Sequence, residues 1–494
     1  MDLRVSPRFS AGAVPINERL AESELLSFAS ETGPLSYRAF VNRTPVSDPQ
    51  SVFPPIEIVS FSYEQTTALP DEGRPVIFFF NGGPGSSTIW LHQTGFGPNK
   101  MSLDYANAPE TAPKTSFAEN AGFLIDVGDL VFVDPVGTGL SRPLDPAELE
   151  TFTDLRLDAR SMCRFAKTWL DANDRANAPV YLVGASYGAL RIAGMASHPS
   201  CRKFRKQIHG LVFVSGVLDL RGRAAGTATH AVGFFPTLAA LAWHDGDVPK
   251  AMWAGNLQLY LMAAKTVALR DVGSAWFEDD LQSGDEAIRK RQRVSAFLGL
   301  MHEHPSEASV RATIFQAIAS LQRPQKRCAY DARFQCALGE YLPGIKLSEL
   351  ANELEARLAS YLKSNLNYVL DTESYHSLRH NGFGTIWDYN FLKSLELGQG
   401  TNMAEILATA FQITNANSTL ASLDLRPLKI LVASSPYDIV TPFYAMELAL
   451  RDAGHSQDAV TIRTYRGGHL MYLNEETGYR LAADIRSFIR KSSE

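Results

Sequence analysis

The chain contains 494 residues, which is enough for one large enzyme domain with an insertion or for two to four domains of ordinary size. Hydrophobic residues make up 45% of the chain and charged residues 20%. This composition is typical of soluble globular proteins and excludes collagen-like, disordered and coiled-coil classes. The formal net charge of -6 lacks the basic excess of a nucleic-acid binder, so no nucleic-acid partner is expected.

The sequence shows no recognisable secretion signal or membrane span. Between Met1 and Ser30 there is no apolar run of the length that a signal peptide requires. The most apolar stretches, Val76 to Phe80 and Leu238 to Trp243, are much shorter than the roughly 20 residues that span a bilayer. These observations predict a soluble, cytoplasmic protein with no membrane partner.

The cysteines are too few and too scattered for a disulfide framework or a zinc site. They are Cys163, Cys201, Cys328 and Cys336. We expect four reduced thiols, with a Cys328–Cys336 bond as the open alternative because these two lie close in sequence. The pattern His302-Glu303-His304 puts its histidines on different sides of a helix, so neither a metal nor another cofactor is predicted.

The first half of the chain alternates short apolar runs with longer amphipathic stretches, which is typical of a parallel sheet flanked by helices. The predicted strands are Val76 to Phe80, Leu130 to Val133, Val180 to Val183 and Leu211 to Ser215. An alternating segment before them, Ile56 to Tyr63, predicts an antiparallel start to the sheet. The C-terminal part resumes the alternation, with strands predicted at Lys429 to Ala433 and Ala459 to Tyr465 and a helix at Tyr479 to Ile489.

Residues 221–392 have a different, helical texture. The predicted helices are Val248 to Ala268, Ala287 to Gly299, Ser306 to Leu321 and Leu347 to Leu362. We interpret this stretch as a helical cap inserted into one α/β core made of residues 1–220 and 393–494. Insertions at the carboxyl ends of strands commonly shape a substrate site, although a separate interaction domain remains the alternative.

The pentapeptide Gly184-Ala185-Ser186-Tyr187-Gly188 follows directly on a predicted strand and precedes a stretch compatible with a helix. Such a strand-to-helix turn leaves no room for side chains at its outer positions and lifts the serine hydroxyl clear of the sheet. The pattern therefore predicts Ser186 as a nucleophile. Because the pattern also arises by chance, the prediction needs a base and an acid to support it.

An acid and a histidine follow later in the chain, each just past a predicted strand. They are Asp438 and His469, and the order Ser, Asp, His is the one that α/β-hydrolases use. Taken singly, Asp438 is also readable as a turn residue before Thr441-Pro442, and His469 as one of 11 histidines. Together at one edge of the sheet, the three residues predict a catalytic triad in which His469 is the base and Asp438 orients it.

The glycine-rich segment Asn81-Gly82-Gly83-Pro84-Gly85 follows the predicted strand that ends at Phe80. A loop of this kind leaves backbone N–H groups uncovered, and one of them could join the N–H of Tyr187 to hold an oxyanion. The loop lacks the lysine ending of a phosphate-binding loop. A tight turn without a ligand is the remaining alternative.

These motifs together resemble the serine carboxypeptidase family of α/β-hydrolases, its bacterial branch most closely. The resemblance rests on the glycine loop, the elbow, Asp438, His469 and the segment Asp134-Pro135-Val136-Gly137-Thr138-Gly139, and runs from about Phe53 to the C-terminus. It implies a mixed, mostly parallel sheet with helices on both faces and an acyl-enzyme on Ser186. It also implies that Gly83 and Tyr187 donate to the oxyanion, and that Asn81 and Gly82 bind the free α-carboxylate of a peptide.

The residue before the nucleophile departs from this family. Members that release C-terminal residues typically have a glutamic acid there, where this chain has Ala185, and the second glutamic acid of well-known eukaryotic members is also missing from residues 94–98. Two such carboxyl groups share a proton and can donate a hydrogen bond to a substrate carboxylate. The leading hypothesis is a serine carboxypeptidase-like hydrolase of small peptides or peptide-like amides. An acyltransferase or esterase acting on a metabolite, and a silent binding protein, are the alternatives; no oligomeric state is predicted.

Overall fold

The computed structural model describes residues 17–31, 33–66, 73–104, 114–219, 227–277, 284–300, 309–321, 327–378, 387, 428–456 and 458–493. Three predictions lie outside these residues. They are the cap boundary near residue 220, the cap boundary near residue 392 and the sequence His302-Glu303-His304.

The described strands form one large mixed sheet and a separate hairpin. The strands are β1 (Glu18–Glu22), β2 (Leu26–Ser30), β3 (Gly33–Val46), β4 (Ile56–Gln65), β5 (Val76–Phe80), β6 (Asn99–Asp104), β7 (Lys114–Glu119), β8 (Asp129–Val133), β9 (Arg142–Pro143), β10 (Val180–Ala185), β11 (Ile208–Val214), β12 (Lys429–Ser434) and β13 (Val460–Thr464). The sheet order is β1-β3-β4-β8-β5-β10-β11-β12-β13, with β2 beside β3 and β9 beside β4, whereas β6 pairs with β7. From β8 to β13 this order is parallel, and β1, β3 and β4 pair antiparallel. The predicted mixed, mostly parallel sheet is confirmed.

Helices cover both faces of this sheet. The longer helices are α1 (Leu155–Ala172), α2 (Tyr187–Ser197), α3 (Ala228–Asp245), α4 (Leu257–Val267), α5 (Asp285–Phe297), α6 (Val310–Leu321), α7 (Leu347–Leu366), α8 (Phe443–Asp452) and α9 (Glu475–Ser493). Helices α1, α2 and α8 pack on one face, and α7 and α9 contribute to the core on the other. No described helix is both long and apolar enough to cross a membrane.

Strand β5 shows why the sheet sits at the centre of the molecule. Its five residues are all fully buried, with Ile77 and Phe79 in the core on one face and Val76, Phe78 and Phe80 in the core on the other. A continuous apolar run is what a parallel strand covered on both faces requires. The central strands therefore form from burial on both sides, and their ends, where the loops begin, are the places left for polar chemistry.

One helical prediction differs from the structure, and one helix was not predicted. The predicted helix from Val248 to Ala268 begins only at Leu257, because Gly255 has a positive φ of 67° and the Asn256 side chain caps the first turn. Helix α3 escaped prediction because it is apolar on nearly all sides and contains Pro236, so it shows no helical periodicity. Both helices belong to a third hydrophobic cluster, formed mainly by α3 to α6 together with the start of α8.

The prediction of four reduced cysteines is wrong. The structure pairs Cys328 with Cys336, the alternative left open, and also pairs Cys163 with Cys201, which lie 38 positions apart. The second pair forms because α1 packs against α2 and the short turns that follow it, a tertiary contact that cysteine spacing does not reveal. Disulfides persist mainly in oxidising compartments, so the pairing adds no support to the cytoplasmic location, which stays a prediction.

Candidate active site

The sheet register places the glycine loop and the elbow side by side. Strands β5 and β10 are parallel neighbours, and Phe80 at the end of β5 lies opposite Gly184 in β10. Gly184 is in turn paired with Phe213 of β11. Because the carboxyl ends of parallel strands meet at one edge, the loops that begin at Asn81 and at Ser186 start next to each other.

The elbow has the tight geometry that its glycines predict. Ser186 has a φ of 56° and a ψ of −123°, a conformation that non-glycine residues rarely adopt. A methyl group at Gly184 would overlap the backbone of Gly188 and lie 2.8 Å from the amide nitrogen of Ala189. One at Gly188 would overlap the carbonyl of Phe80. The turn is therefore possible only with glycine at both outer positions.

The glycine loop packs against the elbow just as closely. A Cβ atom at Gly82 would lie 2.7 Å from the Ser186 Cβ atom and 2.9 Å from the amide nitrogen of Tyr187. Gly83 has a φ of 107°, a left-handed value that favours glycine. The loop thus brings its backbone beside the N–H of Tyr187, which is the first residue of α2. This arrangement suits the pair of amides predicted to hold an oxyanion.

The predicted acid and base are in contact. His469 Nδ1 lies 2.8 Å from Asp438 Oδ2, and both side chains are buried. The other carboxylate oxygen, Oδ1, accepts the backbone N–H groups of Val440 and Thr441, each at 2.9 Å. Asp438 thus closes a turn with one carboxylate oxygen and contacts His469 with the other. The interpretation as a turn residue and the interpretation as the partner of the histidine are therefore compatible.

Thr441 is a residue of the site that the sequence predictions missed. Its hydroxyl lies 2.6 Å from Asp438 Oδ2 and 2.9 Å from the carbonyl oxygen of Ser215, with His469 Nδ1 3.2 Å away. The hydroxyl has a single proton, and the shorter of its two contacts with acceptor oxygens is the one to Asp438 Oδ2, the oxygen that also contacts the histidine. The signal available in the sequence was the threonine three residues after Asp438, a spacing typical of a side-chain-closed turn.

A loop from the predicted cap also holds the histidine. The disulfide between Cys328 and Cys336 closes this loop, and its Tyr330 carbonyl accepts the backbone N–H of His469 at 2.5 Å. The rings of Tyr330 and His469 are 5.0 Å apart. In the same loop, the N–H of Ala332 donates to the carbonyl of Tyr437, the neighbour of Asp438. No motif in the sequence points to these contacts, because they join distant parts of the chain.

Ser186 and His469 face a common cavity of about 230 Å³, somewhat smaller than the roughly 300 Å³ at which typical ligand pockets begin. The loops of the core line one side of it, and Tyr330, Leu347 and Leu378 of the predicted cap line another. Among the described lining residues no Lys, Arg, Asp or Glu side chain is present. The cavity thus offers neutral hydrogen-bonding groups and apolar walls to a small substrate.

Two of the lining residues bear on the expected carboxylate site. Asn81 lines the cavity, and within the described chain no hydrogen bond occupies its side-chain amide. Ala185 also lines the cavity, so a methyl group stands where the carboxypeptidases carry a glutamic acid. Gly82, the other residue predicted to bind a carboxylate, lies between them.

Asp134 explains part of the motif that follows β8. Its Oδ1 accepts the backbone N–H of Thr88 at 2.9 Å, which ties it to the turn after the glycine loop. Complete burial raises the pKa of the Asp134 carboxyl to about 7. A methyl group at Gly139, which has a positive φ of 50°, would overlap this carboxyl. The buried Asp134 carboxyl, for which Gly139 leaves space, therefore holds the turn that follows the glycine loop.

The described residues contain no group of three or more His, Cys, Asp or Glu side chains placed to hold a metal ion.

The serine carboxypeptidase family model matches residues 61–230, which contain the glycine loop, Asp134 and the elbow. The predicted resemblance to this family is confirmed there, whereas the assignment to a bacterial branch stays a prediction. A comparison with curated protein sequences finds no match.

Comparison with solved structures finds similarities at low sequence identity. The prohormone-processing carboxypeptidase Kex1Δp from Saccharomyces cerevisiae is 15% identical, with 92% of this chain and 91% of that chain covered and a TM-score of 0.52. A putative aryl esterase from Burkholderia cenocepacia is 13% identical, with 91% and 98% covered and a TM-score of 0.36. The peroxisomal α/β-hydrolase Lpx1 from Saccharomyces cerevisiae is 14% identical, with 92% and 90% covered and a TM-score of 0.38. The first of these matches, with its TM-score above 0.5, agrees with the mixed, mostly parallel sheet of an α/β-hydrolase fold described above.

Proposed function

We propose that this chain, whose residues 61–230 match the serine carboxypeptidase family model, is a serine hydrolase that cleaves C-terminal residues from small peptides or peptide-like amides. The observation that best supports this is that Ser186 and His469 line one cavity while His469 Nδ1 contacts the buried Asp438. A neutral histidine that donates its Nδ1–H to a carboxylate has an unprotonated Nε2. This is the tautomer that a general base needs in order to accept the serine proton.

The reaction follows from these groups. His469 takes the hydroxyl proton of Ser186 as the oxygen attacks the scissile carbonyl carbon, and Asp438 stabilises the imidazolium that forms. The N–H groups of Gly83 and Tyr187 hold the oxyanion of the tetrahedral intermediate. His469 then gives the proton to the leaving amine, and water, activated by the same histidine, hydrolyses the ester on Ser186.

Recognition of a free C-terminal carboxylate would rest on neutral donors. The side-chain amide of Asn81 and the backbone N–H of Gly82 are the groups proposed for it, since both residues line the cavity beside Ser186. Hydrogen bonds from neutral donors to a carboxylate are charge-assisted and are stronger than those between two neutral groups. They therefore give a carboxypeptidase a basis for selectivity even without a cation in the described lining.

A second candidate function is hydrolysis or transfer of an ester or other acyl group of a metabolite. The observation that favours it is Ala185 in the cavity wall, together with the lack of any acidic or cationic side chain among the described lining residues. Without a glutamic acid beside the nucleophile, the site has fewer donors for a carboxylate and more apolar surface for an uncharged leaving group.

Labelling with a fluorophosphonate tests whether the site is reactive at all. We expect the wild type to be labelled on Ser186 and the Ser186→Ala variant to remain unlabelled, because the probe reacts with an activated serine. Peptide mass spectrometry of the labelled protein identifies the modified residue. An unlabelled wild type, or label at another residue, would refute the proposed mechanism.

A matched set of substrates separates the two candidate functions. The same blocked dipeptide is offered as the free acid, the amide and the methyl ester, with Ser186→Ala as the background control. A kcat/KM at least 10-fold higher for the free acid than for the amide supports the carboxypeptidase, and this preference should shrink in Asn81→Ala. Equal rates, or the ester alone as a substrate, would favour the second candidate.

A further inference from the structure

A buried ion pair lies directly beneath the elbow and the glycine loop. Arg191 of α2 donates from Nε to both carboxylate oxygens of Asp158 in α1, at 3.0 and 2.8 Å. The two side chains are only 1% and 3% exposed. Such a pair contributes little net stability, because the cost of removing two charges from water offsets their attraction. The contacts of the pair with neighbouring segments are therefore the better guide to its role.

The pair touches both loops that form the predicted oxyanion hole. Arg191 Nη1 donates to the carbonyl oxygen of Asn81 at 2.6 Å, and the hydroxyl of Tyr187 donates to Asp158 Oδ2 at 2.9 Å. The indole N–H of Trp387 in turn donates to the Tyr187 hydroxyl at 3.0 Å. One network of side chains thus joins the start of the glycine loop to the residue that follows the nucleophile.

This connection matters because the two oxyanion donors come from separate segments. Asn81 and Arg191 are 110 positions apart in the chain. A donor pair stabilises a developing charge only when both N–H groups are held within about 0.5 Å of their places. The guanidinium is a rigid fork that contacts a carboxylate and a carbonyl at the same time, which a lysine ammonium cannot reproduce.

We propose that Arg191 and Asp158 are positioning residues that hold the Gly83 and Tyr187 amides in register for the oxyanion. This inference rests on the proposed function, in which those two amides stabilise the tetrahedral intermediate. The network acts through the Asn81 carbonyl and the Tyr187 ring, so its loss lowers the rate of the chemical step more than it weakens the binding of substrate.

Helix α1 offers a matched control. Arg160 lies two residues after Asp158 on the same helix and pairs with Asp48 at 2.7 Å, again with little exposure. Its other side-chain contact is with Gln50, in the same loop as Asp48. Arg160→Lys therefore weakens a buried ion pair of the same helix without touching either loop of the site.

The test measures the second-order rate of fluorophosphonate labelling and the thermal unfolding temperature of each variant. Arg191→Lys is expected to lower the labelling rate at least 10-fold, and Arg160→Lys to leave it at the wild-type value. With p-nitrophenyl acetate as substrate, the Arg191→Lys loss should fall on kcat rather than on KM. Labelling of Arg191→Lys at the wild-type rate would overturn the inference.

Two further variants separate positioning from stability. The double variant Arg191→Met/Asp158→Leu removes both charges together, so it should keep or recover stability while still labelling slowly. Tyr187→Phe removes only the hydroxyl that reaches Asp158, and it should label several-fold more slowly with the fold intact; this variant decides the question if Arg191→Lys does not fold. Wild-type labelling rates in both variants would refute the positioning role, whereas an unlabelled wild type would refute the proposed function itself.

Discussion

The two halves of the candidate site are held in different ways. The tight turns of the nucleophile half, residues 81–85 and 184–188, are shaped by backbone packing in which Gly184 and Gly188 leave no space for a side chain, and the Asp158–Arg191 pair contacts them from the helices. The base half, made of Asp438, Thr441 and His469, is held by side-chain hydrogen bonds and by a loop from a distant part of the chain.

Because the two halves are held in different ways, they should respond differently to substitution. Steric exclusion in the nucleophile half means that a small added group strains the fold itself. In the base half, the hydrogen bonds set the orientation and tautomer of one imidazole, so their loss should lower activity more than stability.

Asp438→Asn should have the largest effect, a loss of roughly 10³- to 10⁴-fold in kcat, because an amide favours the wrong tautomer of His469. The amide oxygen introduced by this substitution can still accept the N–H groups of Val440 and Thr441, so the unfolding temperature should change little. Steady-state kinetics on the preferred substrate and calorimetry measure the two quantities. A large fall in stability would contradict the contrast between the halves.

Gly184→Ala should destabilise the fold by about 3 kcal/mol or more, since the new methyl group meets the Gly188 backbone, which cannot move away easily. Gly273→Ala is the control, because a methyl group there would find its nearest neighbour 3.5 Å away. Urea denaturation gives the free energy of unfolding of both variants. Equal stabilities of the two would show that the elbow is less constrained than its geometry indicates.

Replacing both Cys328 and Cys336 with serine should lower the free energy of unfolding by about 2 to 3 kcal/mol, as expected for a short closed loop. It should also reduce kcat several-fold, because this loop carries the Tyr330 carbonyl that holds the N–H of His469. Replacing Cys163 and Cys201 is the control and should cost stability without the same loss of kcat. If the two double variants have similar kcat values, the loop closed by Cys328 and Cys336 has no special role in positioning His469.

Thr441→Val should have the smallest effect, roughly a five-fold loss of kcat, corresponding to about 1 kcal/mol for one hydrogen bond. The loss arises because Asp438 Oδ2 no longer receives the threonine hydroxyl. Thr441→Ser keeps a hydroxyl at the same position and should restore most of the rate. If serine and valine behave alike, the hydroxyl has no role in orienting the carboxylate.

The sheet and the placement of the three candidate triad residues at one sheet edge were predictable because they depend on local signals. The central strands are continuous apolar runs, and the structure shows them within a few residues of their predicted bounds. Ser186 and Asp438 follow such strands, and His469 follows the more exposed edge strand β13, so locating the strand ends also located these side chains at one edge. Helix α3 escaped prediction because a helix that is apolar on all sides carries no periodic signal.

The sequence alone determined the residue types at the elbow, the glycine loop and the triad, together with the alanine that replaces the family's glutamic acid, because these follow from identity and spacing. Only the tertiary structure decided which residues support them: the Cys163–Cys201 bond, the Tyr330 loop, Thr441 and the Asp158–Arg191 pair. Most of these contacts join segments tens to hundreds of positions apart in sequence. Their partners are chosen by packing rather than by any local pattern.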